Sequence, residues 1–315
     1  MMKKVSLLLM LMICAVSISA KDKPTVKVVY SGTTAEITIS DEIKNDITVN
    51  SATSSHVDIT SNTESVEIIY DLSGSSDDGE FRLNGKYKCG IDLNGLTLTN
   101  PNGPALNLQN GKRIEISAKN GTTNTLADGK NKDYNGCIHC TGHLEFKGKG
   151  ELNIVGNSKH AIYSEEYVSI KNLTLNITSA KKDGIHCQEY FLMESGNVTI
   201  SNTGDDGIQC ALAGDTSTGE LPDHKDEDTG KDEDTGNVYL LGGTLTIKGY
   251  GGEAIKADGS IEYLGTTYDF GTSTGISVVS TSTPHSNAAV YYLTGRRAAA
   301  PSRGIYILNG KKIAK

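Results

Sequence analysis

The chain of 315 residues contains no tryptophan and only 6 prolines, and no long stretch shows the 3.6-residue apolar period of an amphipathic helix. Helices are therefore not expected to be the main element of the fold. Valine, isoleucine, threonine, asparagine and 35 glycines dominate instead, and this composition favours strands and turns. We expect an all-β protein whose length allows one large domain or two small ones.

Cysteine usage gives no metal-binding framework. Of the 6 cysteines, Cys14 lies near the N-terminus, and an odd number remains in the rest of the chain. An odd number in an exported protein leaves at least one thiol unpaired. The pair Cys137 and Cys140 stands alone, without the second CxxC that a zinc site would need.

Residues 1–20 have the parts of a secretory signal peptide: a basic start, an apolar core and small residues at the exit, namely Ser17, Ser19 and Ala20. The apolar core is too short to span a bilayer, and no second apolar run follows. We therefore expect an extracellular or cell-surface protein with no integral membrane segment after cleavage. A membrane anchor and a lipoprotein signal at Cys14 are the alternatives.

The chain is acidic, and removal of Lys3 and Lys4 with the signal peptide would change its formal net charge from −8 to −10. Such a chain repels nucleic acid and anionic membranes, so neither is an expected partner. It would also repel an acidic glycan, unless a cation lies between the two.

An internal repeat is the strongest signal in the sequence. In five of the six repeats two apolar residues spaced by two are followed, eight positions after the second, by an aliphatic residue. Leu175 and Ile177, for example, lead to Ile185. A third apolar pair follows six and eight residues later. We call the aliphatic positions the anchor residues, and they are Leu106, Ile138, Ile162, Ile185, Ile208 and Ile255.

Three short strands in a unit of about 23 residues predict a right-handed parallel β-helix, in which each strand pairs with its equivalent in the next coil. We assign this solenoid to residues 89–263. Residues 21–88 lack the period, and we expect them to form a β-rich N-terminal cap over the open end. A β-sandwich or an array of hairpins is the alternative fold.

Two segments depart from the repeat. The insertion at residues 212–237 duplicates the sequence KDEDTG and is too polar to form a core, so we expect a solvated loop; a calcium-responsive loop is the alternative. Residues 264–315 form a predicted C-terminal β tail. This tail is either a terminal hairpin that caps the solenoid or a sorting signal for surface display.

Carboxylates gather in the turn before the anchor residue. The position two residues before the anchor is occupied, in order, by Pro104, Gly136, His160, Asp183, Asp206 and Glu253. Like charges about 5 Å apart require a cation or a raised pKa, and Ca²⁺ accepts six to eight oxygen ligands in flexible geometry. The predicted metal ligands are Asp183, Asp205, Asp206, Glu253 and Asp258. The alternative is that Asp-Gly is ordinary turn chemistry.

A polar column follows the anchor residues on the outward face. It predicts a flat strip that suits an extended glycan, with Lys182 beside it. The predicted carbohydrate-binding residues are His139, Tyr163, Lys182, His186, Gln209 and Lys256. Tyr163 is expected to replace the missing tryptophan in sugar stacking. Cys187 and Cys210 fall on neighbouring coils, either as small core residues or as a disulfide.

The stretches from Lys159 to Ile162, from Asn172 to His186 and from Gly204 to Gln209 resemble the calcium-binding, polysaccharide-lyase-like carbohydrate-binding β-helix family. The resemblance implies a right-handed β-helix, bound Ca²⁺ and binding of cellulose or polygalacturonate-type glycans. It also implies calcium ligands at Asp183, Asp205 and Asp206.

Three functions follow as hypotheses. The first is calcium-dependent binding of a polysaccharide. The second is a polysaccharide lyase that would need a basic residue at the metal; Lys182 and Lys256 are candidates, and Arg113 is the only arginine expected within the coils. The third is a structural surface protein or adhesin.

Overall fold

The computed structural model describes residues 23–51, 54–130, 132–212 and 235–274, and the backbone of four short strands between residues 290 and 314. The predicted signal peptide at 1–20 and most of the predicted insertion at 212–237 lie outside the described residues. The chain divides into two compact units, Met1–Gly275 and Ile276–Lys315, which are considered separately.

Almost all regular structure is β. The strands of the first half are β1 (Thr25–Ser31), β2 (Thr34–Ile39), β3 (Ile47–Ser51), β4 (His56–Ser61), β5 (Ile68–Ser76), β6 (Glu80–Asn84), β7 (Cys89–Asn100), β8 (Leu106–Gln109), β9 (Ile114–Ala118), β10 (Thr123–Asp128), β11 (Gly136–Cys140), β12 (Leu144–Gly148) and β13 (Glu151–Gly156). One short 3₁₀ helix spans Asp41–Ile43.

The remaining strands continue the same pattern. They are β14 (His160–Ser164), β15 (Val168–Lys171), β16 (Leu173–Ala180), β17 (Ile185–Gln188), β18 (Tyr190–Met193), β19 (Gly196–Ser201), β20 (Ile208–Ala211), β21 (Asn237–Leu240), β22 (Thr244–Lys248), β23 (Ile255–Ala257), β24 (Ile261–Tyr263), β25 (Thr267–Phe270), β26 (Val290–Tyr292), β27 (Arg297–Ala298), β28 (Ile305–Leu308) and β29 (Lys311–Ala314).

The anchor residues align in one sheet, which we call the anchor sheet. Its strands lie in the order β23-β20-β17-β14-β11-β8-β6-β4-β3. Ile162 pairs in parallel with Ile138 on one side and with Ile185 on the other. Ile208 then pairs with Ile185 and Ile255. The predicted register is therefore confirmed, and successive coils stack strand upon strand.

The other two strands of each coil form two further faces, joined at the long strand β7. The first part of β7 pairs with β9 and its last part with β10. From there the stacks run β9-β12-β15-β18-β21-β24 and β10-β13-β16-β19-β22-β25. The chain is a parallel β-helix with three strands per coil, as the spacing predicts.

Parallel pairing also continues into residues 21–88. Strand β5 pairs with β7, and β6 pairs with β8 and β4, all in parallel. Val57, Phe81 and Leu106 follow one another in register, so they extend the anchor column. Antiparallel pairing is found at the extreme end, between β1 and β2 and between β3 and β4.

Inward-facing side chains fill the interior of the helix. Ile162, Ile185 and Ile208 have no exposed surface, and the neighbouring Cys187 and Cys210 are equally buried. These two cysteines pair in register and are free thiols, which agrees with the prediction of small core residues. The hydrophobic effect at these inward positions is the main source of stability for the solenoid.

The C-terminal tail divides between the two units. Strand β25 is still part of the helix, because it pairs in parallel with β22. The second unit contains a small antiparallel sheet in the order β27-β26-β28-β29. Within the described residues, the structure contains no helix long and apolar enough to cross a bilayer.

Candidate functional site

The predicted polar column lies on the outer surface of the anchor sheet, and we call it the polar ladder. His139 pairs with Tyr163, Tyr163 with His186, and His186 with Gln209. Lys256 follows Gln209 on the next coil. Because parallel pairing places equivalent side chains on the same face, five of the six predicted glycan-binding residues form one continuous strip.

The rings of the ladder stack on each other. The ring centroids of His139 and Tyr163 are 5.4 Å apart at 7°, and those of Tyr163 and His186 are 5.4 Å apart at 18°. Both faces of the Tyr163 ring are therefore covered by imidazoles. The expectation that Tyr163 stacks on a sugar in place of tryptophan does not fit this geometry, and the ring edges with their polar atoms are what the ladder offers to a ligand.

His139 is the most enclosed member of the ladder, with 6% of its surface exposed. Burial, together with the nearby charge of Lys159, lowers the pKa of His139 to about 4. Its imidazole is consequently neutral at neutral pH, and it packs against both Tyr134 and Tyr163. His139 supports the ladder more than it presents a charge to a glycan.

The carboxylates before the anchor strands form a second feature, which we call the acidic corner and define as Asp183, Asp205, Asp206 and Glu253. Oxygens of Asp183, Asp205 and Asp206 lie within 4.8 Å of one another. The three residues come from two successive turns, which follow β16 and β19. The convergence that the sequence predicts is therefore present in the structure.

Asp183 is almost fully buried and lies between two imidazoles. Its Oδ2 atom is 3.1 Å from His160 Nδ1 and 3.0 Å from His186 Nδ1. Its Oδ1 atom accepts a hydrogen bond from the backbone N–H of Asp206 at 3.0 Å. Burial alone would raise the pKa of Asp183, but the hydrogen bonds from His160 and His186 outweigh it and hold the pKa below its usual range.

Asp206 is equally buried, at 2% exposure, but its carboxylate has fewer hydrogen-bond donors around it than that of Asp183. Its Oδ1 atom accepts a hydrogen bond from the backbone N–H of Glu253 at 2.7 Å. Its Oδ2 atom accepts no hydrogen bond from the described residues, and the nearest cation there, Lys256 Nζ, is 3.6 Å away. Burial, and then the charges of Asp183 and Asp205, raise the pKa of Asp206.

The remaining predicted residues occupy different positions. Asp205, Glu253 and Lys182 are exposed in the turns at the corner. Asp258 lies beyond the opposite end of β23, where its Oδ2 atom accepts a hydrogen bond from Leu212 N at 3.1 Å. The whole length of β23 therefore separates Asp258 from the acidic corner, and the structure does not group it with Asp183, Asp205 and Asp206.

Three further polar features of the structure were not predicted from the sequence. His160 occupies the column of the acidic corner, yet its pairing with Asp183 depends on ring orientation. Arg82 pairs in register with Asn107 and so continues the ladder column, which corrects the expectation that Arg113 is the only arginine within the coils. Glu189 lies with Glu166 and His143 in a separate cluster, and the 23-residue spacing of the two glutamates was an available signal.

The fold and the strip define a β-solenoid with an extended polar surface, a class of protein suited to polymeric ligands. A comparison with family models matches residues 53–296 to the carbohydrate-binding domain-containing protein family, and the chain belongs to this family. Family membership and fold together support a polysaccharide-binding protein.

Among solved structures, the chain is similar to the polysaccharide lyase-like protein from C. thermocellum, a gadolinium derivative. The TM-score is 0.58 at 20% identity, and the match covers 77% of this chain and 99% of the other. At this identity the likeness establishes the fold alone. No curated protein matches the chain.

Proposed function

We propose that this protein binds an acidic polysaccharide through a Ca²⁺ ion held at the acidic corner. The observation that supports this most is Asp206, whose buried Oδ2 atom has no hydrogen-bond donor among the described residues. The ammonium of Lys256 is 3.6 Å from this oxygen, which is too far for a hydrogen bond. A buried carboxylate oxygen without a hydrogen-bond donor is costly, and a cation bound directly to it would remove that cost. The proximity of Asp183 and Asp205 adds negative charge at the same point.

Asp206 and Asp205 are the residues that would bind the ion directly. Asp183 would contribute its charge, because both of its oxygens already accept hydrogen bonds. Calcium accepts six to eight oxygen ligands, so a site with two protein carboxylates has positions left for water and for the carboxylate of a uronate. The ion would in this way join two negatively charged partners that otherwise repel each other.

The polar ladder offers the rest of the contact surface. The edges of Tyr163 and His186, the amide of Gln209 and the ammonium of Lys256 are arranged along neighbouring coils next to the corner. These groups suit the hydroxyl and carboxylate groups of an extended chain. The structurally similar C. thermocellum protein is a gadolinium derivative, and gadolinium, like calcium, is a hard cation. Export by residues 1–20 stays a prediction and would bring the protein to external polysaccharides.

The test is retention of the protein on insoluble polygalacturonate, with calcium or with a chelator. We expect retention in calcium, loss in chelator and weaker retention on a neutral glycan. The variant Asp206→Asn should lose the calcium-dependent part, while Asp77→Asn, an exposed aspartate elsewhere on the helix, serves as the matched control. Retention that is equal with calcium and with chelator would reject the calcium proposal.

The lyase hypothesis needs a base close to the metal. Arg113, which directly precedes β9, forms ion pairs with neighbouring glutamates, including Glu145 of β12 at 3.5 Å. Arg82 lies on the face of the ladder, but five coils, or about 24 Å, separate it from the coil of Asp206. Lys256, with Nζ 3.6 Å from Asp206 Oδ2, is the candidate base nearest the corner, so catalysis needs its own readout. The same incubation provides it through the ultraviolet absorbance of unsaturated uronate ends.

A further inference from the structure

A cavity of about 510 Å³ lies on the same edge of the helix as the acidic corner, nearer the N-terminus, and extends to Lys181 in the turn that contains Asp183. It is formed where the turns before successive anchor strands meet. Its lining includes Asp128, Lys130, Asn157, Ser158 and Lys181. The coil that contains Asp128 is three coils, or about 14 Å, from the coil that contains Asp206.

Asp128 is the buried polar group of this cavity, with 2% of its surface exposed. It ends strand β10, and its Oδ1 atom accepts a hydrogen bond from Asn157 N at 2.5 Å. The side chain of Asn157 also donates to the main-chain oxygen of Asp128 at 2.8 Å. The backbone N–H of Ser158 also lies close enough to favour the charged carboxylate, but no donor among the described residues forms a hydrogen bond of regular geometry with the Oδ2 atom of Asp128. A hydroxyl donor from a ligand would satisfy this atom.

Two ammonium groups complete the cavity. Lys130 and Lys181 are exposed at its rim, and no carboxylate of the described residues lies in ion-pair distance of either side chain. The rim consequently favours a negatively charged ligand, although the protein as a whole is acidic. The cavity thus combines two exposed lysines with one buried carboxylate, whereas the acidic corner consists of carboxylates.

The two features together select one ligand chemistry. A fully ionised inorganic anion such as sulfate would satisfy the lysines but has no hydrogen to donate to Asp128. A neutral sugar would donate hydroxyl hydrogens to Asp128 but would leave the lysines without a counter-charge. A sugar acid carries both groups on one ring, with a hydroxyl for Asp128 and a carboxylate for Lys130 and Lys181.

We infer that this cavity is a second, metal-independent subsite that binds a uronic acid residue of the glycan. The inference rests on the proposed preference for acidic polysaccharide but does not require the calcium site. A bound chain that runs parallel to the helix axis would contact the cavity at one point and the acidic corner at another. Two weak contacts on one polymer raise its overall affinity through effective concentration.

The test is a calorimetric titration of trigalacturonate into the protein in the presence of a chelator. We expect binding by the wild type and about tenfold weaker binding by Asp128→Asn and by Lys181→Met, since each change removes one charge-assisted contact. Lys149→Met, an exposed lysine in the turn between β12 and β13, should bind like the wild type. Lys181 is exposed, so its variant tests the cavity even if Asp128→Asn folds poorly.

Competition experiments distinguish the ligand classes. Inorganic sulfate and a neutral trisaccharide should each fail to displace trigalacturonate at equal concentration. Displacement by either one, or unchanged affinity of Lys181→Met, would overturn the inference. Because the titration contains chelator, failure of the calcium proposal leaves its result unchanged. Asp128→Asn and Lys181→Met should conversely keep the calcium-induced rise in melting temperature.

Discussion

The carboxylate of Asp183 accepts, through Oδ1, a hydrogen bond from the backbone N–H of Asp206 one coil further along the helix. Asp206 repeats the arrangement with the N–H of Glu253. Asp183 and Asp206 thus each satisfy a backbone donor of the next coil, which the solenoid could not leave unpaired in a buried turn. The acidic corner is part of the scaffold as well as a candidate ligand site.

The substitution Asp183→Asn should destabilise the protein by about 1 to 3 kcal/mol, because the charge-assisted bonds to His160 and His186 become neutral ones. Chemical denaturation followed by circular dichroism in chelator measures this. The pKa of Asp183 is depressed in the folded state, so its contribution is present above about pH 4 and is lost as the pH falls further. A loss no larger than that of Asp77→Asn would contradict the role assigned to Asp183.

The substitution Gly184→Ala tests the tight corner before the anchor strand. A Cβ atom at this position would lie 2.5 Å from Ile200 Cγ2 and 2.6 Å from the carbonyl oxygen of Gly207. Overpacking of this kind costs about 1 to 3 kcal/mol, so we expect a lower unfolding free energy. Gly111→Ala is the matched control, because no atom lies within 4 Å of its added methyl group. Equal stability of the two variants would show that the turn before the anchor strand can accommodate the added methyl group at little cost.

The register of the helix could be predicted from sequence because stacking imposes it on every coil. Each inward side chain lies over its equivalent in the previous coil, so the pairing of Ile162 with Ile185 is visible as a spacing of 23 residues. The same logic placed Asp183 and Asp206 at one corner. Residues that stack in one column on successive coils can thus be predicted from a single sequence.

The earlier coils were harder to recognise. Val57, Phe81 and Leu106 are 24 and 25 residues apart, and an aromatic residue occupies one anchor position, so the pattern of aliphatic anchors stops at Leu106. Arg82 was missed for this reason. Ring orientation is a second limit: spacing predicts that Tyr163 faces outward, but only the structure shows both of its faces covered.

The substitution His139→Phe should change how stability depends on pH. The folded state lowers the pKa of His139 from 6.5 to about 4, so protonation of this imidazole favours the unfolded state. The folded protein is therefore most stable, with respect to His139, above pH 6.5 and loses stability as the pH falls to 4. At about 1.4 kcal/mol per pKa unit, this loss reaches about 3 kcal/mol. Phenylalanine keeps the ring packed on Tyr163 and cannot titrate.

The comparison for His139 uses the difference in unfolding free energy between variant and wild type, measured from pH 7 to pH 4. We expect the variant to lose less stability than the wild type over this range. Other groups that titrate there, such as His160, occur in both proteins and cancel in the difference. Parallel pH profiles would mean that His139 is more accessible to water than its 6% exposure indicates.

The substitution Asp206→Asn separates the scaffold from the metal. Burial raises the pKa of Asp206, so its charge opposes folding at neutral pH, and removing that charge should raise the melting temperature in chelator. The Oδ1 atom of asparagine can still accept from Glu253 N, which keeps the turn intact. The wild type should then gain about 2.7 kcal/mol in calcium at one hundred times the dissociation constant, whereas the variant should gain almost none. A variant that still responds fully to calcium would move the site away from the acidic corner, for which the predicted loop at residues 212–237 is the alternative.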